Sequence, residues 1–154
     1  MSYEVTGEHA AARRTAVVAE RVTWRRFPEV WPTLSGEVWA CLHASGITRG
    51  CPNVMLYRDA GSDVDVEVGV ELLQDCELSG RVVGSTLPAG YVARTVHRGP
   101  YSGLGAAHDA VARWSADHGH SPTGIRWEIY GPQTPDPAQT ETEVYWLLEQ
   151  DSPR

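Results

Sequence analysis

The stretch from Tyr91 to Gly131, YVARTVHRGPYSGLGAAHDAVARWSADHGHSPTGIRWEIYG, reads as strand, turn, helix and strand in succession. Tyr91 to His97 has the length and β-branched content of a strand. Tyr101 to His118 predicts a helix, with Leu104, His108, Val111 and Trp114 along one stripe, and Ile125 to Gly131 predicts a second strand. A Pro-rich loop from Pro132 to Pro137 follows, and Glu141 to Glu149 predicts the last strand.

That order matters because the first half has it too. Thr15 to Trp24, with Val17, Val18 and Val22, predicts a strand that Phe27-Pro28 ends. From Trp31 to Ser45, Trp31, Leu34, Val38, Trp39 and Leu42 recur at helical spacing, with Pro32 suited to the first turn and Gly46 to the end. Val54 to Arg58 predicts a short strand and Asp59 to Asp63 a turn. In Val64 to Leu73, the apolar Val64, Val66, Val68, Val70 and Leu72 alternate with mostly polar residues, so one face is buried. Laying Arg21 on Arg94 also lays Gly46 on Gly119 and Tyr57 on Tyr130. Matched order and register point to a duplicated unit. The expected fold is α+β: two strand-helix-strand-strand repeats, about 15–73 and 82–149, forming a curved antiparallel sheet with two helices on one face. A ligand cleft is expected at the pseudo-twofold axis, within a domain spanning 15–149. Residues 1–14, polar and unpatterned, are expected to be a flexible tail.

Composition narrows the function. The chain has 154 residues, 42% hydrophobic and 21% charged, which is that of a folding domain and not of a disordered chain. Thirteen basic residues, all Arg, face twenty acidic ones for a net charge of −7. A nucleic-acid reader of this size is usually basic, so no direct nucleic-acid binding is expected. No segment approaches the roughly 20 apolar residues of a membrane span. Cys41, Cys51 and Cys76 are an odd set with no Cys-x-x-Cys spacing, so neither a disulfide framework nor a zinc ribbon is written here. These features fit a reducing cytoplasm, and no metal or cofactor is expected. Six Trp and six Tyr stand against a single Phe. Rings with a polar edge suit surfaces that receive ligands.

Alternation along Ile125 to Tyr130 puts Ile125, Trp127 and Ile129 on one face and Arg126, Glu128 and Tyr130 on the other. The aligned strand of the first half places Met55 and Tyr57 on the equivalent face. With the apolar sets packed on the helices, the opposite face presents Glu128, Tyr130, Met55 and Tyr57 to the groove. A carboxylate among rings and a thioether is costly to bury unless a cation satisfies it. A lipophilic cation could do so, each ring face adding roughly 0.5 to 2 kcal/mol. The plainer alternative pairs Glu128 with Arg126 or Arg94 on a solvated sheet surface. Trp39 reads as core or ligand contact, Tyr91 and Tyr145 as groove-lining strand residues, Trp127 as pointing away from Glu128, and Tyr101 as a packing residue at the helix start. Cys41 and His43 do not face each other on a helix, and His118 and His120 flank a helix end where positive charge is favoured, so neither pair calls for a metal. No Gly-x-Ser-x-Gly elbow or Walker loop is present.

The run His97-Arg98-Gly99-Pro100-Tyr101-Ser102-Gly103-Leu104, followed by Glu128-Ile129-Tyr130-Gly131-Pro132, resembles the GyrI-like small-molecule-binding family, which also supplies effector-binding domains of AraC-type and MerR-type regulators. The resemblance covers roughly residues 15 to 149. It implies a curved antiparallel sheet, two helices behind it and a hydrophobic cleft whose acid, here Glu128, contacts drug-like ligands. No DNA-binding segment is read in this chain, so a stand-alone member is expected. Three functions follow as expectations. The first is a binder of bulky aromatic, often cationic compounds, serving multidrug sequestration or sensing through Glu128, Tyr130, Met55, Tyr57, Trp39, Tyr91 and Tyr145. The second is a hydrolase opening cyclopropane-containing compounds, in which Glu128 activates water and Tyr130 or Tyr57 donates a proton. The third is a gyrase inhibitor, whose negative charge draws a basic protein partner.

Overall fold

The computed structural model describes residues 3–149. Its strands are β1 (Thr6–Ala10), β2 (Arg13–Thr23), β3 (Asn53–Ala60), β4 (Asp63–Glu71), β5 (Val83–Leu87), β6 (Gly90–Arg98), β7 (Pro122–Tyr130) and β8 (Glu141–Leu148). The helices are α1 (Phe27–Ala44) and α2 (Leu104–Asp117), with single 3-10 turns at Tyr101–Gly103 and Pro137–Gln139. The class is α+β with antiparallel pairing, as the repeat predicts. Two compact units form: Ala12–Leu87, and the described residues on either side of that segment.

In the first unit the strand order is β3-β4-β2-β5. Val64, Val66, Val68 and Val70 of β4 meet Ala16 and Val18 of β2 and Leu34, Val38 and Leu42 of α1 in one buried cluster. Each such side chain contributes about 1.5–3 kcal/mol on burial. Gly69 faces the other side, and a Cβ there would lie 1.9 Å from the Ala16 carbonyl oxygen, so only glycine permits this approach of β4 to β2. Helix α1 begins four residues before the expected Trp31, because Pro28 already sits in the first turn, where its missing N–H costs nothing. Pro32 consequently lies inside the helix rather than at its start.

In the second unit the order is β1-β6-β8-β7. Helix α2 places Ala107 and Val111 against Ala93, Val144 and Leu148. The expected flexible tail is corrected here. Thr6 to Ala10 pair with β6, from Thr6 opposite Arg94 to Ala10 opposite Gly90, and Arg13 and Arg14 open β2. Gly7 makes this possible, since a Cβ there would meet Tyr91 Oη at 2.3 Å and Trp114 at 2.7 Å. The first two residues of that expected tail lie outside the described residues. A second correction concerns the repeat boundary: residues 83–87 form β5, which pairs with β2 and therefore belongs to the first unit. Among the described residues no helix is long and apolar enough to cross a membrane.

Candidate functional site

The site is built on β7, β8 and α2 of the second unit. In register, Arg126 lies opposite Trp146, Glu128 opposite Val144 and Tyr130 opposite Thr142. Cross-strand partners share a face. Val144 belongs to the core under α2, so Glu128 points to the helix side of the sheet. This reverses the expected assignment, in which Ile125, Trp127 and Ile129 pack on the helices. Trp127 is buried on the opposite face, stacked on Tyr145 with ring centroids 5.5 Å apart. The reason is that this sheet buries apolar residues on both faces, so alternation separates two faces without saying which one carries the helix.

Glu128 is only 5% exposed. Its Oε1 accepts a hydrogen bond from the Tyr130 hydroxyl. Its Oε2 lies 2.7 Å from His108 Nε2. His108 Nδ1 in turn accepts from the Trp146 indole N–H at 2.9 Å. The Tyr101 ring meets Tyr130 edge to face at 5.6 Å, and the Arg126 guanidinium lies over Trp146, 5.5 Å from the ring centroid. Glu128 is thus a desolvated carboxylate in an aromatic frame, not the solvated surface acid of the plainer reading. Thr142, across from Tyr130, is fully buried and its Oγ1 has no hydrogen-bond partner. A hydroxyl with unused capacity therefore sits on the same face as the acid.

The turn before α2 positions His108. His97 is buried, with Nε2 donating to the Pro100 carbonyl at 2.8 Å, which leaves Nδ1 to accept from the Tyr3 hydroxyl at 2.8 Å. Gly99 has φ of +133°, and Gly103 passes beneath the His97 ring. These contacts explain the His-Arg-Gly-Pro-Tyr-Ser-Gly run: it starts α2 at Leu104, one turn before His108. Gly131 has a similar duty after β7, since a Cβ there would lie 2.7 Å from the Glu141 carbonyl oxygen.

The remaining sequence candidates lie on β3, α1, β6 and β8. Tyr57 is buried on the helix side of the first unit, with its hydroxyl 3.5 Å from Met55 Sδ and its ring edge-on to Phe27 at 5.6 Å. Trp39 donates its indole N–H to Asn53 Oδ1 at 2.8 Å. Tyr91 packs with His9 and His120 on the α2 side of β6. Tyr145 lies on the face opposite Glu128, donating to Glu143 at 2.6 Å and accepting from Arg94 Nε at 3.1 Å. Burial, then the bond to Glu143, raises the Tyr145 pKa above its ordinary value. For Arg94, burial opposes the charge, but the bonds to Glu143 and Tyr145 prevail and raise its pKa. Glu128 and Tyr130 thus meet on β7, and Met55 and Tyr57 meet on β3, while Tyr145 lies on the face of the sheet opposite Glu128. His108 and Trp146 are the site residues that sequence reasoning missed. The signal was present in His108, a histidine on the otherwise apolar stripe of α2. Two surface depressions, of about 410 Å³ beside Arg94 and Arg98 and about 280 Å³ beside Arg21 and Arg26, are not lined by Glu128.

The acid thus stands buried, with paired hydrogen-bond partners and among aromatic rings, on an α+β scaffold. The chain belongs to the GyrI-like small molecule binding domain family, whose model matches residues 3–149. It is a small-molecule-binding domain. Among curated proteins, none matches the sequence. Among solved structures the chain is similar to EcmrR in its DNA complex, with a TM-score of 0.75 and 21% identity over 97% of this chain and 58% of that one. Against the EcmrR C-terminal domain the TM-score is 0.71 at 20% identity, covering 98% of this chain and 100% of that one. It is also similar to SAV2435 bound to tetraphenylphosphonium, with a TM-score of 0.67 and 12% identity over 97% of this chain and 94% of that one. A hydrolase from Listeria innocua aligns with a TM-score of 0.63 and 12% identity over 95% and 92%. At these identities the likeness is one of fold.

Proposed function

We propose that the chain binds bulky, aromatic, lipophilic cations, with Glu128 as the counter-charge and Tyr130 and Tyr101 as ring contacts, in a sequestering or sensing role. The observation that carries this reading is the burial of Glu128 among Tyr130, His108 and Trp146. An ionised carboxylate away from water is stabilised by a cation that arrives with its own apolar surface, and ring faces add to the attraction. The tetraphenylphosphonium carried by the structurally similar SAV2435 supports the same ligand class. Calorimetric titration with tetraphenylphosphonium tests it: saturable binding is expected, weakened about tenfold or more in Glu128→Gln, because the amide keeps the shape but not the charge. Equal affinity in the variant contradicts the proposal.

A second reading has its own observation. The Tyr130 hydroxyl already donates to Glu128, so a carboxylate base and a phenolic donor stand together as hydrolysis of a strained or polarised substrate requires. Incubation with a cyclopropane-containing compound, followed by mass spectrometry, tests it. A product heavier by one water supports the hydrolase, and intact substrate rejects it.

A further inference from the structure

His108 stands between two groups with opposite demands. The Trp146 indole N–H reaches His108 Nδ1 at 2.9 Å, and an indole N–H can only donate. Nδ1 must present its lone pair, so the proton of the neutral ring is on Nε2. That nitrogen lies 2.7 Å from Glu128 Oε2 and donates to it. A second proton on His108 would enter at Nδ1, where it would meet the indole donor head-on. Trp146 thus opposes the imidazolium form, which would make an internal ion pair with Glu128 through Nε2. The Tyr130 hydroxyl is a neutral donor to the second carboxylate oxygen, and the Arg126 guanidinium lies over the Trp146 ring.

We infer that Trp146, acting through His108, is a positioning residue that keeps this histidine from cancelling the charge of Glu128, and so makes the site favour positively charged ligands over neutral ones of similar shape. The inference rests on the reading of Glu128 as the ligand's counter-charge. It assigns the charge preference to a residue on β8 that need not touch the ligand.

Two measurements test it. In nitrogen-15-labelled protein, two-bond proton–nitrogen correlations, assigned by their loss in His108→Gln, are expected to show a protonated Nε2 and a bare Nδ1 at neutral pH. A proton on Nδ1 overturns the inference. Calorimetry with tetraphenylphosphonium and with neutral triphenylphosphine oxide then gives the ratio of the two affinities. Trp146→Phe is expected to lower that ratio about tenfold. Adding His108→Gln, whose amide donates to Glu128 but gains no proton, is expected to restore it. A ratio unchanged by Trp146→Phe, or one not restored by His108→Gln, assigns Trp146 a packing role only and overturns the inference. Wild-type protein that binds the phosphonium no better than Glu128→Gln overturns the reading of Glu128 itself.

Discussion

Gly103 lies so close beneath His97 that a methyl group on it would sit 2.8 Å from His97 Cε1. Since His97 is pinned on its other sides by Tyr3 and Pro100, the ring has little room to yield. Gly103→Ala is therefore expected to shift the start of α2, costing about 1–3 kcal/mol of stability as overpacking does, and to weaken cation binding because His108 follows one turn later. Urea denaturation and calorimetry on the same variant check both effects. Loss of stability with full binding would detach the turn from the site.

A different glycine tests the first unit. Gly69→Ala forces β4 away from β2, because the added carbon would overlap the Ala16 carbonyl oxygen at 1.9 Å. The expected cost is about 2–4 kcal/mol, at the upper end for a single methyl group, and is read as a fall in the thermal midpoint. Gly36→Ala is the control, since a Cβ on this helical glycine meets nothing within 4 Å. It is expected to be neutral or stabilising by up to about 1 kcal/mol.

Removing the imidazole from the acid separates structure from charge. His108→Ala takes one donor from Glu128 and one acceptor from Trp146. A stability loss of about 1–3 kcal/mol is expected, and His108→Gln should recover part of it by restoring a donor to the carboxylate. Chemical denaturation of the two variants beside wild type measures this. Equal losses would show that the hydrogen bond to Glu128 contributes nothing.

Alkaline stability depends on Tyr145. Its folded pKa is raised, by burial first and then by the bond to Glu143, so folding favours the protonated phenol. The corresponding stabilisation is fully present below the ordinary tyrosine pKa of about 10 and is lost as pH rises through the higher folded value. Denaturation midpoints are expected to fall more steeply above about pH 10 in wild type than in Tyr145→Phe. Parallel profiles would contradict the assignment.

Much of this was legible in the sequence, and the gaps have physical causes. Both helices and six strands follow from periodicity, since each buries a stripe or face. Strands β1 and β5 escaped because each pairs with a single neighbour and carries little apolar alternation: in β1 none of the five residues is buried, and in β5 only Leu87 is. The face of Glu128 was misassigned because Trp127 and Ile129 are as buried as the residues under the helix. Glu128 and Tyr130 were identified together because alternation on one strand joins them. His108 and Trp146 come from α2 and β8, and only tertiary packing brings them to the acid.

The most direct test of the central claim is to locate the cation. In crystals soaked with tetraphenylarsonium, diffraction at the arsenic absorption edge marks its centre without reference to any assumed site. The account predicts an anomalous peak within about 6 Å of the Glu128 carboxylate or of the Tyr130 ring, the range over which a cation and a ring attract. A peak confined to the depression beside Arg94 and Arg98, or no peak beside an unaltered Glu128, would contradict it.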